Sequence, residues 1–268
     1  MRPLVSLGPA IARRIEVVAF DLDDTLLTDG WLVPSVYSAL GELAEAGLHL
    51  VAVTGRPLGY GEVIARLFRV LGVVVENGAL AVRARDGALT VYDPIARDER
   101  ARRAARLEIL DRAVRAAVPN AAFSDDMPRR HTEITYDVNE HRHLSEPEIA
   151  TMIECITAHG AWATRSSVHV HASFDRTNKA EGLLAFLRAT RIASHDAGAW
   201  RQRILFVGDS GNDAACFAGF PYTVGVANVR HALARLNVPP RWITEAEKGA
   251  GFRELAQHLL VARASQST

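Results

Sequence analysis

The chain has little of what marks several classes of protein. Its 268 residues include only two cysteines, Cys155 and Cys216, which are too few for a disulfide framework and lack the clustering of a zinc site. No apolar run approaches the ~18 residues that a membrane-spanning helix needs. Lysine and arginine together number 31, as do aspartate and glutamate, so no basic field exists to hold nucleic acid. We therefore expect neither a nucleic-acid partner nor a membrane partner.

Lysine is scarce as well. It occurs only at Lys179 and Lys248, so a lysine that lies beside a motif is informative. Hydrophobic residues make up 49% of the chain and charged residues 23%, which is typical of a folded globular protein and not of a disordered one. The length suits one large domain or two modest ones. Residues 1–14 make a poor signal peptide, so we expect a cytoplasmic location.

Short apolar runs alternate with helical patterns along most of the chain, and each run ends in a small or polar residue. The runs occupy residues 17–20, 48–53, 73–75, 204–207 and 223–226. Continuous apolar runs that alternate with helices indicate a parallel sheet covered on both faces. Ligands of such sheets bind at the carboxyl ends of the strands. We therefore expect an α/β fold with its site where these runs end.

Residues 94–172 depart from this alternation of apolar runs and helical patterns. They contain two successive patterns of one helix followed by two strands, which suits a small inserted α+β domain. We therefore predict a core made of residues 1–93 and 173–268, with the insert between its two parts.

Residues able to carry chemistry cluster at the predicted strand ends. They are Asp21, Asp23, Thr54, Lys179, Asp209 and Asp213. Four of them are carboxylates, and such a cluster repels itself unless a cation lies in it. Hard oxygen ligands with room for water and phosphate favour Mg²⁺. The sequence therefore predicts a magnesium site with a lysine beside it.

Taken in order, these motifs resemble those of the haloacid dehalogenase (HAD) superfamily of phosphohydrolases. The matching segments are DLDDT at 21–25, Thr54, Lys179 and GDSGND at 208–213. The resemblance covers nearly the whole chain and implies a Rossmann-like α/β core with an inserted α+β cap. The third motif departs from the usual Asp-Lys-Gly of the family, because Asn178 and Ala180 flank the lysine here. We expect the chemistry to survive this change.

Further segments resemble the Cof-type and sugar-phosphatase branches of that superfamily. They are VENGAL at 75–80, ANV at 227–229 and residues 249–252. The cap resembles the large cap of sucrose-phosphate, trehalose-phosphate and mannosyl-3-phosphoglycerate phosphatases and of phosphomannomutases. The resemblance implies a Mg²⁺-dependent phosphomonoesterase that acts on a small sugar or polyol phosphate.

The resemblance also assigns roles to core residues. Asp21 would be the nucleophile that forms an aspartyl-phosphate, and Asp23 would protonate the leaving alcohol and then activate water. Thr54, with the backbone beside it at Gly55, would hold the phosphoryl oxygens. Lys179 would bridge the nucleophile and the phosphate.

The same resemblance implies the metal ligands. Mg²⁺ would be held by Asp21, the carbonyl of Asp23 and Asp209. Asp213 would act directly or through water, and Asn212 would brace that loop. Asp213 has a second interpretation, since an acidic residue also favours the start of the helix that follows it.

Substrate contacts are expected from two loops and from the cap. Arg56 would either anchor its loop or touch the substrate, and Asn77 would either form a turn or lie near the substrate. On the strand at 168–173, alternation places His169 and His171 on one face. We predict substrate contacts for these residues, with a metal site as the alternative for the two histidines.

A neighbouring cap strand supplies a second polar face. Alternation places Glu133, Thr135 and Asp137 on one side of it. Such a face suits a hydroxyl-rich ligand, and the alternative is a face covered only by solvent.

Three rival functions stay open. A phosphomutase of the phosphomannomutase type would return the phosphoryl group to a sugar. A flavin or pyridoxal phosphate phosphatase would need an aromatic cap pocket, of which the polar strand faces give little sign. A non-catalytic binding module would not need the carboxylates at both Asp21 and Asp23. The sequence leaves the oligomeric state and the particular phosphate ester open.

Overall fold

The computed structural model describes residues 1–166, 168–192 and 197–265, of which 197 and 198 are described by their backbone alone. The strands are β1 (Arg2–Pro3), β2 (Val17–Phe20), β3 (His49–Val53), β4 (Gly72–Val75), β5 (Leu80–Arg85), β6 (Ala88–Tyr92), β7 (Ala122–Phe123), β8 (Glu133–Asp137), β9 (Trp162–Arg165), β10 (His169–Ser173), β11 (Ile204–Gly208), β12 (Tyr222–Gly225) and β13 (Trp242–Ile243). The α-helices are α1 (Pro9–Ala12), α2 (Pro34–Glu45), α3 (Leu58–Leu67), α4 (Arg97–Ala117), α5 (Glu146–Ala158), α6 (Lys179–Ala189), α7 (Ala197–Arg201), α8 (Ala214–Gly219) and α9 (Lys248–Ala264).

The larger sheet has nine strands in the order β1-β13-β12-β11-β2-β3-β4-β5-β6. All neighbours from β1 to β4 are parallel, and the last two pairs are antiparallel. Every residue of the central strands β2 and β11 is buried, which explains their continuous apolar sequences. This sheet confirms the predicted α/β fold class and brings the carboxyl ends of the five predicted strands, now β2, β3, β4, β11 and β12, to one edge.

Helices cover both faces of this sheet. On β2, Val18 and Phe20 pack into one apolar cluster with residues of α2 and α9. Val17 and Ala19 point to the other face and pack with residues of α6 and α8. Alternation along a strand that is buried on both faces therefore divides its side chains between two cores.

The antiparallel end of the sheet is the hairpin of β5 and β6. Its turn lies at Asp86-Gly87, and both residues have positive φ angles of 51° and 81°. Two-residue hairpin turns with this backbone favour Asp-Gly, because aspartate tolerates and glycine readily adopts that conformation.

The segment between the two halves of the larger sheet forms a second sheet. Its four strands run in the order β7-β8-β10-β9, all antiparallel, and α4 and α5 pack on it. Ile134, Tyr136 and Val170 lie in a separate apolar cluster with residues of both helices. The chain order is helix, two strands, helix, two strands, as the sequence predicts for the cap. The boundaries at 94 and 172 stay a prediction, and β10 continues to Ser173.

Across residues 1–166, 168–192 and 197–265, no helix combines the length and apolar character needed to cross a bilayer.

Candidate active site

Four loops meet at the carboxyl edge of the larger sheet. Phe20, the last residue of β2, pairs with Ala52 on one side and with Val207 on the other. Asp21 therefore emerges between the loop that begins at Thr54 and the loop that begins at Asp209. Lys179 reaches the same place from the first turn of α6.

Three buried carboxylates lie together here. Asp21 is 3% exposed, Asp209 9% and Asp213 0%, and each offers an oxygen within 4.8 Å of the other two. Burial raises the pKa of Asp21 well above its ordinary value, and Asp213 and Asp209 add to the rise against the opposing charge of Lys179. Burial and the charge of Asp213 raise the pKa of Asp209 to about 7. The negative charge of the three carboxylates is therefore not fully balanced by positive charge nearby.

Lys179 supplies one positive charge to this cluster. Its Nζ donates to Asp21 Oδ1 at 2.7 Å, to Asp213 Oδ1 at 2.7 Å and to Asn212 Oδ1 at 3.1 Å. Burial disfavours the charge, but Asp21 and Asp213 outweigh burial and raise the pKa of Lys179 above its ordinary value. Lys179 is therefore a fully ionised ammonium that leaves the three carboxylates with an excess of negative charge.

Two glycines let α6 carry Lys179 to this position. A Cβ on Gly78, whose φ is 103°, would lie 2.2 Å from the Asn178 carbonyl oxygen. A Cβ on Gly182 would lie 2.4 Å from the Gly78 carbonyl oxygen. Asn178 caps α6, because its Oδ1 accepts from the backbone N–H of Ala180 at 3.1 Å and of Glu181 at 3.0 Å. The unusual Asn-Lys-Ala motif thus keeps the helix start and the lysine in place.

Asp213 shapes the loop as well as joining the cluster. Its Oδ2 accepts from the backbone N–H of Asp209 at 3.0 Å and of Ser210 at 3.2 Å, while Oδ1 accepts from Lys179. The bond to Ser210 belongs to a capping box at the turn of residues 211–213 that leads into α8, as the helix-start interpretation predicts, and metal binding by Asp213 stays a prediction. Asn212, predicted to brace this loop, also contacts Lys179.

The Asp23 carboxylate lies apart from the cluster and pairs with Arg56. The Arg56 Nε donates to Asp23 Oδ2 at 3.0 Å, and Nη2 donates to Oδ1 at 2.7 Å. The guanidinium also lies 4.6 Å from the centre of the Tyr60 ring. This two-point contact raises the pKa of Arg56 and fixes the direction of the Asp23 carboxylate. Arg56 is an anchor in this structure, and its contact with substrate stays a prediction.

Thr54, Gly55 and Asn77 lie together beside Arg56. Thr54 is fully buried, and its hydroxyl accepts from the Arg56 backbone N–H at 3.1 Å. A Cβ on Gly55 would lie 2.9 Å from Asn77 Oδ1. Asn77 Nδ2 in turn lies 3.4 Å from Glu133 Oε2 on β8 of the cap. The predicted loop residues therefore meet one another and one strand of the cap.

The polar cap face is buried, and Glu133 at one end of it reaches the catalytic loops. Glu133 is 4% exposed, Thr135 0% and Asp137 3%, so the alternative of a solvated face is wrong for these residues. His171 Nδ1 lies 3.0 Å from Thr135 Oγ1 and 3.2 Å from Glu133 Oε1. Burial alone would raise the pKa of Glu133, but His171 and Arg130 outweigh it and lower that pKa.

His169 is the first residue of β10, and it contacts Glu140 instead of Thr135 or Glu133. Its Nε2 is 2.7 Å from Glu140 Oε2, and its ring centre is 5.9 Å from that of His171. Burial and the neighbouring His171 lower its pKa. Among the described residues, the one group of His, Cys, Asp and Glu close enough to hold a metal is Asp21, Asp209 and Asp213. The metal-site alternative for the two histidines therefore finds no ligand set.

Among the polar residues of this region, Glu76, Thr25 and Asn228 were not predicted as site residues. Glu76 is 2% exposed and accepts from Thr132 Oγ1 at 2.6 Å, from the Thr132 backbone N–H at 2.8 Å and from the His131 backbone N–H at 3.1 Å. Thr25 Oγ1 donates to Asp209 Oδ1 at 2.8 Å, and Asn228 Nδ2 donates to Asp209 Oδ2 at 3.0 Å. The one signal for Glu76 in the sequence was its position as a charged residue directly after three valines.

Comparison with known proteins agrees with this architecture. The sequence model of the haloacid dehalogenase-like hydrolases matches residues 18–159, more than half of the chain. The chain therefore belongs to this hydrolase family, and the resemblance drawn from the motifs is confirmed. A search of curated proteins finds no match.

Solved structures with the same fold cover almost the whole chain. A protein from Thermoplasma acidophilum has a TM-score of 0.68 at 15% identity, over 92% of this chain and 99% of that one. The sucrose-phosphatase of Synechocystis, in complex with sucrose and phosphate, has a TM-score of 0.65 at 16% identity, over 92% and 98%. A HAD-superfamily phosphatase from Bacteroides thetaiotaomicron has a TM-score of 0.59 at 21% identity, over 92% and 96%. These similarities establish a shared fold of core and cap.

Proposed function

We propose that this hydrolase is a Mg²⁺-dependent phosphomonoesterase that acts through an aspartyl-phosphate on Asp21. The observation that carries the proposal is the buried contact of Lys179 with Asp21, inside a carboxylate cluster at the carboxyl edge of the sheet. A carboxylate that only stabilised the fold would not need burial beside two further carboxylates, because each one adds to the repulsion.

The donor set fits Mg²⁺. Asp21, Asp209 and Asp213 offer hard oxygen atoms with excess negative charge, and these are the ligands that this cation prefers. We propose that Asp21, Asp209 and the carbonyl of Asp23 would hold the ion, with Asp213 binding directly or through water. When bound, the ion supplies charge neutralisation to the phosphoryl group and its nucleophile.

The first half of the reaction transfers the phosphoryl group to the protein. An Asp21 oxygen attacks phosphorus, and the bond from phosphorus to the alcohol oxygen breaks. Asp23, in its protonated form, gives its proton to that leaving oxygen. Lys179 stays bound to Asp21 and offsets charge on the transferred oxygens, and Thr54 binds one of them.

The second half returns Asp21 to its starting state. The ionised Asp23 takes a proton from water, and the water oxygen attacks phosphorus. The bond from phosphorus to Asp21 breaks, and phosphate leaves. Arg56 keeps the ionised Asp23 carboxylate in one orientation during this half, since it donates to both oxygens of that group.

We propose a small sugar or polyol phosphate as substrate. Asn77, Glu133 and His171 form a polar group where the cap faces the catalytic loops, and such groups suit hydroxyl-bearing ligands. The shared fold with a sucrose-phosphatase supports the same substrate class. The two cysteines are free thiols, which suits the reducing cytoplasm that we propose as location.

The test is phosphate release from a panel of sugar phosphates, nucleotides, cofactor phosphates and an aryl phosphate, with Mg²⁺ and with chelator. We expect release that needs Mg²⁺ and is lost in Asp21→Asn. Asp86→Asn, on the exposed hairpin turn, is the matched control and should keep full activity. A folded protein that releases no phosphate from any ester, or an Asp21→Asn variant that retains activity, would overturn the proposal. Turnover that requires a sugar bisphosphate and yields no free phosphate would identify the phosphomutase instead.

A further inference from the structure

Asn228 joins three loops around the carboxylate cluster through one side chain. Its Nδ2 donates to Asp209 Oδ2 at 3.0 Å and to the carbonyl oxygen of Asp24 at 2.9 Å. Its Oδ1 accepts from the backbone N–H of Lys248 at 2.9 Å. The residue is 9% exposed, so these bonds face little competition from water.

The bond to Asp209 completes the fixation of that carboxylate. Thr25 Oγ1 holds Oδ1 at 2.8 Å, and Asn228 holds Oδ2. A carboxylate with a donor on each oxygen cannot rotate without breaking a hydrogen bond. Removal of Asn228 would leave Asp209 attached on one oxygen only.

The bond to Asp24 fixes a second part of the same site. Asp24 has a positive φ of 54°, so the chain turns sharply just after Asp23. Lys248 approaches this turn from outside, with Nζ 3.1 Å from the Asp24 carboxylate. The carbonyl of Asp23, which the proposed function makes a metal ligand, belongs to this turn. Asn228 therefore holds a carboxylate ligand and the segment that bears a carbonyl ligand at the same time.

We infer that Asn228 is a positioning residue for the magnesium site. It sets the separation and the direction of two ligands that come from loops 21–26 and 209–213, which are far apart in sequence. This inference rests on the proposed function, because it assumes that Asp209 and the Asp23 carbonyl hold Mg²⁺. Outer partners of metal ligands act in this way, and their loss weakens metal affinity about 10- to 100-fold.

The experiment is calorimetric titration of the substrate-free protein with Mg²⁺, together with thermal unfolding of the metal-free protein. We expect Asn228→Ala to raise the Mg²⁺ dissociation constant about 10- to 100-fold. Asn120→Ala removes an asparagine that bonds to Glu148 on the cap surface, and it should leave that constant unchanged. If Asn228→Ala does not fold, Asn228→Ser keeps a polar group in the space and still cannot span all three partners, so it should show the same weakening.

The possible results distinguish failure of the role given to Asn228 from failure of the proposed magnesium site. A folded Asn228 variant with a lower unfolding temperature but an unchanged dissociation constant would show a structural tie only and would overturn the inference. An equal loss of affinity in Asn120→Ala would overturn it too, since the effect would then lack any link to the site. A wild-type protein that binds no Mg²⁺ would instead overturn the proposed metal site, and the inference with it.

Discussion

The two lysines of the chain lie in opposite environments. Lys179 has a side chain 1% exposed and bonds to two buried carboxylates. Lys248 has a side chain 26% exposed and pairs with Asp24 and Asp29, whose side chains are half exposed or more. Removal of one partner from a buried ion pair leaves an uncompensated charge, whereas a surface pair contributes little.

We therefore predict that Lys179→Met lowers the free energy of unfolding of the metal-free protein by about 3–5 kcal/mol. Lys248→Met, the matched control, should lower it by less than about 1 kcal/mol. Urea unfolding followed by circular dichroism measures both. Equal losses in the two variants would contradict the role given to Lys179.

Kinetic measurements distinguish the two roles considered for Arg56, orientation of Asp23 and contact with the substrate. If it orients Asp23, Arg56→Gln lowers kcat by about 100-fold, because a small displacement of an acid–base group slows the chemical step by that order. Arg66→Gln on the surface of α3 is the control and should keep wild-type kinetics. If Arg56 instead bound substrate equally in the ground state and the transition state, KM would rise and kcat would not change.

At the scale of elements, the turn after β4 is the most unusual segment of the site. Glu76, Asn77 and Gly78 have consecutive φ angles of 47°, 55° and 103°. This backbone sends Glu76 toward residues 131–132 of the cap and Asn77 toward Gly55. Residues other than glycine rarely adopt positive φ angles. Such a backbone persists where the surrounding contacts hold it in place.

We predict that Glu76→Ala lowers the free energy of unfolding by about 2–3 kcal/mol, because it leaves several buried N–H and O–H donors without an acceptor. Glu154→Ala removes an exposed glutamate of α5 and should change it by less than about 0.5 kcal/mol. Denaturant unfolding of the two variants compares them directly. A Glu76 variant as stable as the control would show that the tie to Thr132 contributes nothing.

Local patterns were enough to predict the sheet, the helices that flank it and the motif loops. Apolar runs gave β2, β3, β4 and β11, and Asp86-Gly87 marked the hairpin. Alternation along β8 correctly placed Glu133 and Thr135 on one face. It could not show what covers that face, since burial depends on where the whole cap lies.

Contacts between distant loops could not be read from the sequence. Arg56 lies 33 residues from Asp23, and Thr132 lies 56 residues from Glu76. Only the folded chain brings these partners together. Thr25 belongs to the first motif, but its bond to Asp209 spans 184 residues and likewise needed the structure.

In the molecule as a whole, Arg100 ties together the two connections between core and cap. Asp175, after β10, accepts from Arg100 and Arg103 of α4 at 2.7 Å each. Arg100 also pairs with Asp93, at the other connection, at 2.8 Å. The two connections between core and cap are therefore held next to each other. This arrangement limits how the cap can move relative to the core.

The carboxylate cluster is expected to make folding stability depend on pH and, through the proposed metal site, on Mg²⁺. The pKa of Asp209 is about 7 in the folded metal-free protein, above the ~3.9 expected for an unfolded chain. Between these values the folded state binds more protons than the unfolded state. Stability from this group is therefore present at acid pH and is lost as pH rises toward about 7.

In the proposed function Mg²⁺ binds the ionised carboxylates, so we expect the ion to reverse this loss. We predict that Mg²⁺ raises the unfolding temperature more at about pH 8 than at about pH 5.5, because protons no longer compete for Asp209. Differential scanning fluorimetry with and without Mg²⁺ measures the effect. Asp209→Asn is the control and should show little rise at either pH. An equal rise at both pH values in the wild type would contradict the link.

We propose above that Asp21 carries the phosphoryl group during turnover. The most direct measurement is acid quenching during turnover of the best phosphate ester, followed by protein digestion and mass spectrometry. We predict an acid-stable, base-labile phosphoryl group on the peptide that contains Asp21, absent without substrate and absent in Asp21→Asn. A phosphoryl group on another residue would contradict the account. So would active turnover in Asp21→Asn with no phosphoryl group on the protein.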